Sequence, residues 1–373
     1  VVAGDPVLIA GAMVEGNTHR LYIEGDDLYA AMLAAIKAAS NSIQLETYIF
    51  ADDEIGRRFA DALLDAVKRG VDVRLHIDAA GSLFWHLHAL ARRLKQGGVR
   101  VHWFHRWSWR QPWRYNRRNH RKMLIIDRQR VFLGGYNIHR ENSRACYGEQ
   151  RWHDLHISVS GRLGEQAAQL FDAFWYGKGN AWMSPLPSGD MLLSNHTHAS
   201  RKAMRRIYRN GFARARFSID VATPYFVPDY RTRQALITAA QRGVQVRLLL
   251  PRKTDVRVAR WAAHASYARL LEAGVNIFEY LPRVLHAKLV VFDGNQASGR
   301  WVAVGTANID YRSFFVNYEL NLITADPILC HDLQQQFEHD LQYSEKLNAR
   351  HWARRPWFHR LAEAIAWLVR RWL

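Results

Sequence analysis

The chain has 373 residues, enough for two domains of ordinary size. With 49% apolar and 23% charged residues it has globular composition, which excludes wholesale disorder. Its formal net charge of +18 calls for an anionic partner, either nucleic acid or an acidic membrane surface. No run of 18 uncharged apolar residues is present, so an ordinary membrane-spanning helix is not expected. Cys146 and Cys330 are too few for a disulfide framework or a multi-thiolate metal site, and a reducing compartment is the default expectation. The sequence opens on Val1 rather than Met, which is compatible with a targeting segment trimmed ahead of it.

In chain order, the β-branched run 43–50 reads as a strand. Phe59, Leu63 and Val67 then give helical spacing to 55–68, and Gly70 stops that helix before a second strand over 71–77. Next come His86 and His88, which like His196 and His198 lack further ligands at metal-binding spacing, so no metal is expected. Residues 102–118 interleave Trp with Arg. That mixture suits stacking on nucleic-acid bases, or equally the headgroup level of a bilayer.

A strand over 121–127 follows, carrying His120, Lys122 and Asp127 as His-x-Lys-x4-Asp. Alternation puts His120 and Lys122 on one face, where they suit an anion, and leaves Asp127 at the far end in a supporting position. Gly134-Gly135-Tyr-Asn137 comes next. Its small residues allow close backbone approach, and the Asn amide can donate to a phosphate oxygen. Asp154 lies 34 residues after His120, where a carboxylate could orient an imidazole through one ring nitrogen. The Gly-, Pro- and Ser-rich stretch 177–189 marks a connection with a boundary near 188.

Beyond it the chain repeats itself at offsets of 166 to 176 residues, which is the sign of a duplicated domain. Strands over 217–221 and 244–250 flank a helix over 233–242. Arg242-Gly-Val-Gln-Val-Arg-Leu248 echoes Arg69-Gly-Val-Asp-Val-Arg-Leu75, and Ala222-Thr-Pro-Tyr-Phe226 echoes Glu46-Thr-Tyr-Ile-Phe50. His286, Lys288 and Asp293 repeat the motif, with Gly305-Thr306-Ala-Asn308 and then Glu319 in the matching places. Strand–helix–strand repetition implies parallel strands with helices on both sheet faces. From Trp357 the apolar residues recur at helical spacing among Arg354, Arg355, Arg360, Arg370 and Arg371, which reads as a basic amphipathic helix at a membrane interface.

The paired His-x-Lys-x4-Asp motifs, each followed by Gly-Gly/Thr-x-Asn, resemble the phospholipase D superfamily over nearly the whole chain. The resemblance implies two tandem α/β domains, each a mixed, mostly parallel sheet flanked by helices, packed as a pseudo-dimer around one metal-free active site. The expected divisions are 1–188, 189–350 and a terminal helix over 351–373. His120, Lys122, Asp127, His286, Lys288 and Asp293 would be catalytic, with His120 as nucleophile and His286 as acid and base by analogy. Asn137, Asn308, Gly134, Gly135, Gly305 and Thr306 would bind substrate, and Asp154 and Glu319 would orient the histidines. No cofactor is implied.

Glu46-Thr-Tyr-Ile-Phe50, the segment 273–280 and the Trp/Arg-rich tail are similar to short bacterial cardiolipin synthases. That likeness implies phosphatidyl transfer to phosphatidylglycerol on an anionic phospholipid surface, at the cytoplasmic face of a bacterial inner membrane. The alternatives are a hydrolytic phospholipase D and a superfamily nuclease, with nucleic acid then the partner. Removing residues 353–373 is expected to weaken binding to anionic vesicles while sparing turnover in detergent micelles. Unchanged vesicle affinity in co-sedimentation would assign the tail to the protein core.

Overall fold

The computed structural model of the protein describes residues 18–82, 87–105, 109–110, 115–177, 189–294, 296, 299–356, 363 and 366. The first half holds strands β1 Thr18–Tyr22, β2 Ser42–Thr47, β3 Asp72–Asp78, β4 Arg100–Phe104, β5 Met123–Ile126, β6 Arg130–Gly134 and β7 His156–Ser160. Its helices are α1 Gly25–Ala38, α2 Glu54–Lys68, α3 His88–Gln96, α4 Arg144–Tyr147 and α5 Arg162–Trp175. The second half follows with β8 Met191–Ser194, β9 Ser218–Ala222, β10 Phe226–Val227, β11 Gln245–Pro251, β12 Asn276–Tyr280, β13 Leu289–Phe292, β14 Trp301–Gly305, β15 Ile309–Asp310, β16 Leu320–Thr324 and β17 Ser344–Lys346. Helices α6 His198–Arg214, α7 Tyr230–Gln241, α8 Arg257–Glu272, α9 Tyr311–Phe315, α10 Pro327–Gln342 and α11 Ala349–Ala353 complete it.

The duplication is visible in strand order. The first sheet runs β1-β7-β6-β5-β2-β3-β4, and the second runs β8-β16-β14-β13-β9-β11-β12 with β17 added at the edge. Each sheet is mixed, as expected, but parallel pairs are the minority. Only β2-β3-β4 and β9-β11-β12 pair in parallel; every other neighbour within the two sheets is antiparallel. The reason is local: β5 turns straight back into β6 through Asp127–Gln129, with Asp127 and Arg128 at φ +50° and +60°. A tight hairpin joins antiparallel strands, whereas a parallel pair needs a crossover.

Alternation along β5 builds two cores at once. Leu124 and Ile126 pack with α1, α2 and α3 residues such as Met32, Leu63 and Leu94. Met123 and Ile125 face the other way, into a core shared by Leu170 and Phe171 of α5, Leu333 and Phe337 of α10, and Val291, Val304 and Leu322 of the second sheet. The outer face of the second sheet is covered by α6, α7 and α8 through Met204, Leu236 and Leu270. The two sheets therefore share one buried layer. Burying apolar surface on both faces makes each half depend on the other.

Two sequence expectations fall largely beyond the description. The boundary near 188 lies outside the described residues, as does most of the expected terminal helix. Within that tail, Arg355 forms an ion pair with Glu363 at 2.6 Å, and Ala366 is buried against Val227 and Ala262. At Ala366 the tail lies on the second half.

Asp127 and Asp293 share a structural duty. Asp127 accepts from the backbone N–H groups of Ser40, Asn41 and Ser42 at 3.0, 2.7 and 2.8 Å, fixing the entry of β2. Asp293 does the same for Phe217 at 2.8 Å and Ser218 at 3.1 Å before β9. Asp127→Ala is expected to cost about 1–3 kcal/mol of stability in urea unfolding through the orphaned N–H donors. Turnover per folded molecule should change little; a stable but inactive variant would give Asp127 a chemical role.

Candidate active site

The site forms where the two halves meet, beyond the carboxyl ends of β2 and β9, the usual place for ligands in α/β sheets. Both motif histidines precede their strands rather than lying on them: β5 starts at Met123 and β13 at Leu289. Their main chains are held by the opposite half instead. His120 N–H donates to Tyr318 O at 2.9 Å, and Tyr318 N–H to Arg118 O at 2.9 Å. In the second motif His286 N–H donates to His153 O at 2.7 Å, and His153 N–H to Val284 O at 2.8 Å. These two parallel bridges, Asn119 with Tyr318 and His153 with Leu285, carry the histidines across the seam.

The residue after each bridging partner is the orienting carboxylate, so the pairing is crossed. His120 Nδ1 donates to Glu319 Oε2 at 2.9 Å, and His286 Nδ1 to Asp154 Oδ2 at 2.5 Å. A carboxylate on Nδ1 fixes the proton there and leaves Nε2 for chemistry. Glu319 is itself supported: Thr306 Oγ1 donates to it at 2.6 Å and Ser313 Oγ at 2.9 Å, while its N–H donates to Asn195 Oδ1 at 2.7 Å. Asp154 accepts from Leu155 N–H at 2.8 Å and from Lys288 Nζ at 3.3 Å.

All of these groups are buried, which sets their charge states. Burial pushes His120 down to about 4, against the upward pull of Glu319, and it also lowers His286, helped by Lys288. Lys122 is brought down to about 7 by burial and by the nearby Lys288, whose own ammonium is lowered by burial. Burial pushes both carboxyls up. The cations overcome it and hold them below the usual range, Lys288 and His286 at Asp154, His120 and Lys122 at Glu319. Two desolvated ammonium groups, one of them depressed further by the other, form a receptor for an anion, which would restore their charge.

Asn137 Oδ1 accepts from Ile49 N–H at 3.1 Å, which commits the carbonyl end of that amide. Asn308 Oδ1 is buried with no hydrogen-bond partner among the described residues. Rings wall the site: Tyr48 lies 5.1 Å from His120, and Trp152 and Tyr225 lie 5.0 and 6.4 Å from His286.

Several expected members do other work. Asp127 and Asp293 are bound up at the far ends of β5 and β13 and do not join the histidines. The glycines expected to approach substrate instead face the carboxylate-bearing strands. A Cβ at Gly134 (φ +156°) would strike Leu155 O, one at Gly305 would strike Leu320 O, and one at Gly135 would strike the Asp154 carboxylate. Thr306, in the place of Gly135, uses its hydroxyl on Glu319. Ser313, Asn195, Tyr48, Tyr225 and Trp152 carried no assignment in the sequence; of these only Tyr48 and Tyr225 sat inside the recognised repeats. His86 lies outside the described residues. No group of three or more His, Cys, Asp or Glu among the described residues is arranged to hold a metal.

The comparisons with known proteins agree with this geometry. A family model for the cardiolipin synthase, phospholipase D-like domain matches twice, over residues 32–175 and 208–341. Cardiolipin synthase 2 of Bacillus cereus is 34% identical over 366 residues, covering 92% of this chain and 68% of the relative. A probable cardiolipin synthase of Bacillus subtilis is 33% identical, covering 87% of this chain and 66% of the relative. The chain thus spans about two thirds of the length of these relatives. Among solved structures, phosphatidylserine synthase of Haemophilus influenzae superposes with a TM-score of 0.73 at 13% identity, over 97% of this chain and 96% of the other. Polyphosphate kinase of Porphyromonas gingivalis gives 0.65 at 15% identity, over 90% and 49%. Those two likenesses concern the fold. With both repeats matched by one family model, and a relative above 30% identity aligned over most of its length, the chain belongs to the cardiolipin synthase family of phospholipase D-like proteins.

Proposed function

We propose that this protein is a phosphatidyltransferase that makes cardiolipin, passing a phosphatidyl group to phosphatidylglycerol through a phosphohistidine. The observation that carries the chemistry is the crossed pair of carboxylate-bound imidazoles around two buried lysines. The names of its relatives supply the substrate class.

His120 Nε2 attacks phosphorus of the donor lipid while the bond to the headgroup oxygen breaks. His286, protonated at Nε2, gives that oxygen its proton and the alcohol leaves. The glycerol hydroxyl of phosphatidylglycerol then loses its proton to His286 as its oxygen attacks phosphorus, and the nitrogen–phosphorus bond to His120 breaks. Both histidines return to their starting states. Lys122 and Lys288, with the Asn137 and Asn308 amides, offset charge on the non-bridging oxygens. Asp154 and Glu319 hold the tautomers and stabilise each imidazolium as it forms. An anionic donor, acceptor and product suit a protein of net charge +18. No helix among the described residues is long and apolar enough to cross a membrane. Its phospholipid substrates would place it peripherally at the cytoplasmic face of a bacterial inner membrane.

Incubation with phosphatidylglycerol vesicles, with and without phosphatidylethanolamine, followed by mass spectrometry of the lipids, tests the reading. Cardiolipin with released glycerol or ethanolamine is expected. Phosphatidic acid alone would make water the acceptor, and no lipid change would turn attention to nucleic acid.

His120→Ala and His286→Ala should each lower turnover on the order of 10⁴-fold, because the pair acts as a unit. Near-normal turnover in either variant overturns the mechanism. Glu319→Gln should lower turnover about 10–100-fold, as loss of an orienting carboxylate does elsewhere. It should also move the acidic limb of the pH profile to lower pH, since Glu319 is what holds His120 up. A limb that stays in place would deny the pair its role.

A further inference from the structure

One strongly one-sided stretch of charge lies away from the histidines, on α6. Between Asp190 and Asp220 there is no acidic residue, while seven cations occur, six of them on this 17-residue helix. Helical spacing sorts the helix into two faces. Ala203, Met204, Tyr208, Gly211 and Phe212 are buried in the core of the second half, and Lys202, Arg206, Arg209 and Ala213 recur on the opposite side. Lys202, Arg206 and Arg209 form no ion pair with a described carboxylate.

The neighbourhood adds to this face. Arg205 feels the like charges of Arg209 and, from the start of α7, of Arg231, with the Asp229 carboxylate opposing them. Phe217, three residues beyond α6, and Tyr230, the first residue of α7, are exposed at 51% and 68%. On α2, by contrast, Arg57 bonds Asp52 and Lys68 bonds Asp65. Unanswered like charges at helical spacing cost stability in water, and an anionic surface would relieve that cost.

The face is also tied rigidly to the site. Arg205 donates to Phe314 O at 3.1 Å and Arg201 to Val316 O at 3.4 Å, gripping the segment that ends in Tyr318 and Glu319.

We propose that the outer face of α6, with the start of α7, docks on an anionic phospholipid bilayer and holds the seam of the two halves against it. The choice of lipid over nucleic acid rests on the proposed phosphatidyl transfer. Cations at the surface supply the attraction, and Tyr230 and Phe217 sit at headgroup depth.

The test uses the full chain with Lys202, Arg206 and Arg209 all changed to Gln, and a second variant with all three changed to Glu. The control is Arg57, Arg58 and Lys68 changed to Gln on α2. Co-sedimentation with phosphatidylglycerol–phosphatidylcholine vesicles reads affinity directly. At about a fivefold loss per neutralised cation, the Gln variant should bind about 100-fold more weakly and the Glu variant more weakly still. The α2 control should bind normally, and all three should keep their turnover in detergent micelles. Unchanged vesicle affinity in the Gln variant overturns the docking face. An equal loss in the α2 control would reduce the effect to net charge and overturn it as well. A larger loss for a single-stranded oligonucleotide than for vesicles would reassign the face to nucleic acid. Loss of vesicle binding in a protein that makes no cardiolipin would leave the docking face standing and remove the proposed transfer.

Discussion

Everything at the centre of this molecule depends on one crossed arrangement: each histidine is held by the half to which it does not belong. The main chain of His120 is bridged to Tyr318 and its imidazole to Glu319; His286 is bridged to His153 and bonded to Asp154. Neither half contains a complete set. The shared core of β5, β6, α5, α10, β14 and β16 therefore does more than bury apolar surface, because it sets the register in which two incomplete sites become one. An error of one residue in either bridge would carry the carboxylate to the other side of its strand.

Such a site is expensive to assemble. Two lysines, two histidines and two carboxylates lie within the seam with little access to water. Ion pairs of this kind seldom add net stability, since desolvation offsets the attraction between partners. What they provide is geometry and unsatisfied demand. Lys122 near neutral, with Lys288 lowered beside it, leaves a place whose charge is complete only when an anion arrives. Stability comes from the apolar layers on either side, and the chemistry lives in the groups that those layers force out of water.

Much of this was legible in the chain. Repetition of His-x-Lys-x4-Asp identified four side chains that do come together, and the spacing of Asp154 and Glu319 marked them as orienting groups. The crossing was not legible, because the partners are 132 and 199 residues apart and both halves carry the same pattern. Alternation around apolar strands announced sheets but not their overall polarity, which the hairpins after Asp127 and Asp293 turn toward antiparallel. The glycines were read as making room for substrate. They make room for protein, since Gly135 clears the Asp154 carboxylate and Gly134 and Gly305 clear β7 and β16. The basic face of α6 was hidden for another reason: in a chain with 52 Lys and Arg, a helix rich in Arg does not stand out until the core claims its other side.

The halves are close to symmetric, and the small departure from symmetry falls on the carboxylates. Glu319 accepts from two hydroxyls, Thr306 and Ser313, besides His120. Asp154 has glycine where Glu319 has Thr306, and accepts from one backbone N–H, from Lys288 and from His286. Hydroxyl donors spread the charge of a carboxylate and weaken its hold on an imidazolium. His286 faces Asp154 at 2.5 Å, but the Lys288 ammonium sits on the same carboxylate oxygen and disfavours charge on the ring. His120 shares its carboxylate with two hydroxyls instead. One repeat thus offsets its carboxylate with hydroxyl donors and the other with an ammonium, so two histidines that share one motif stand in unequal surroundings.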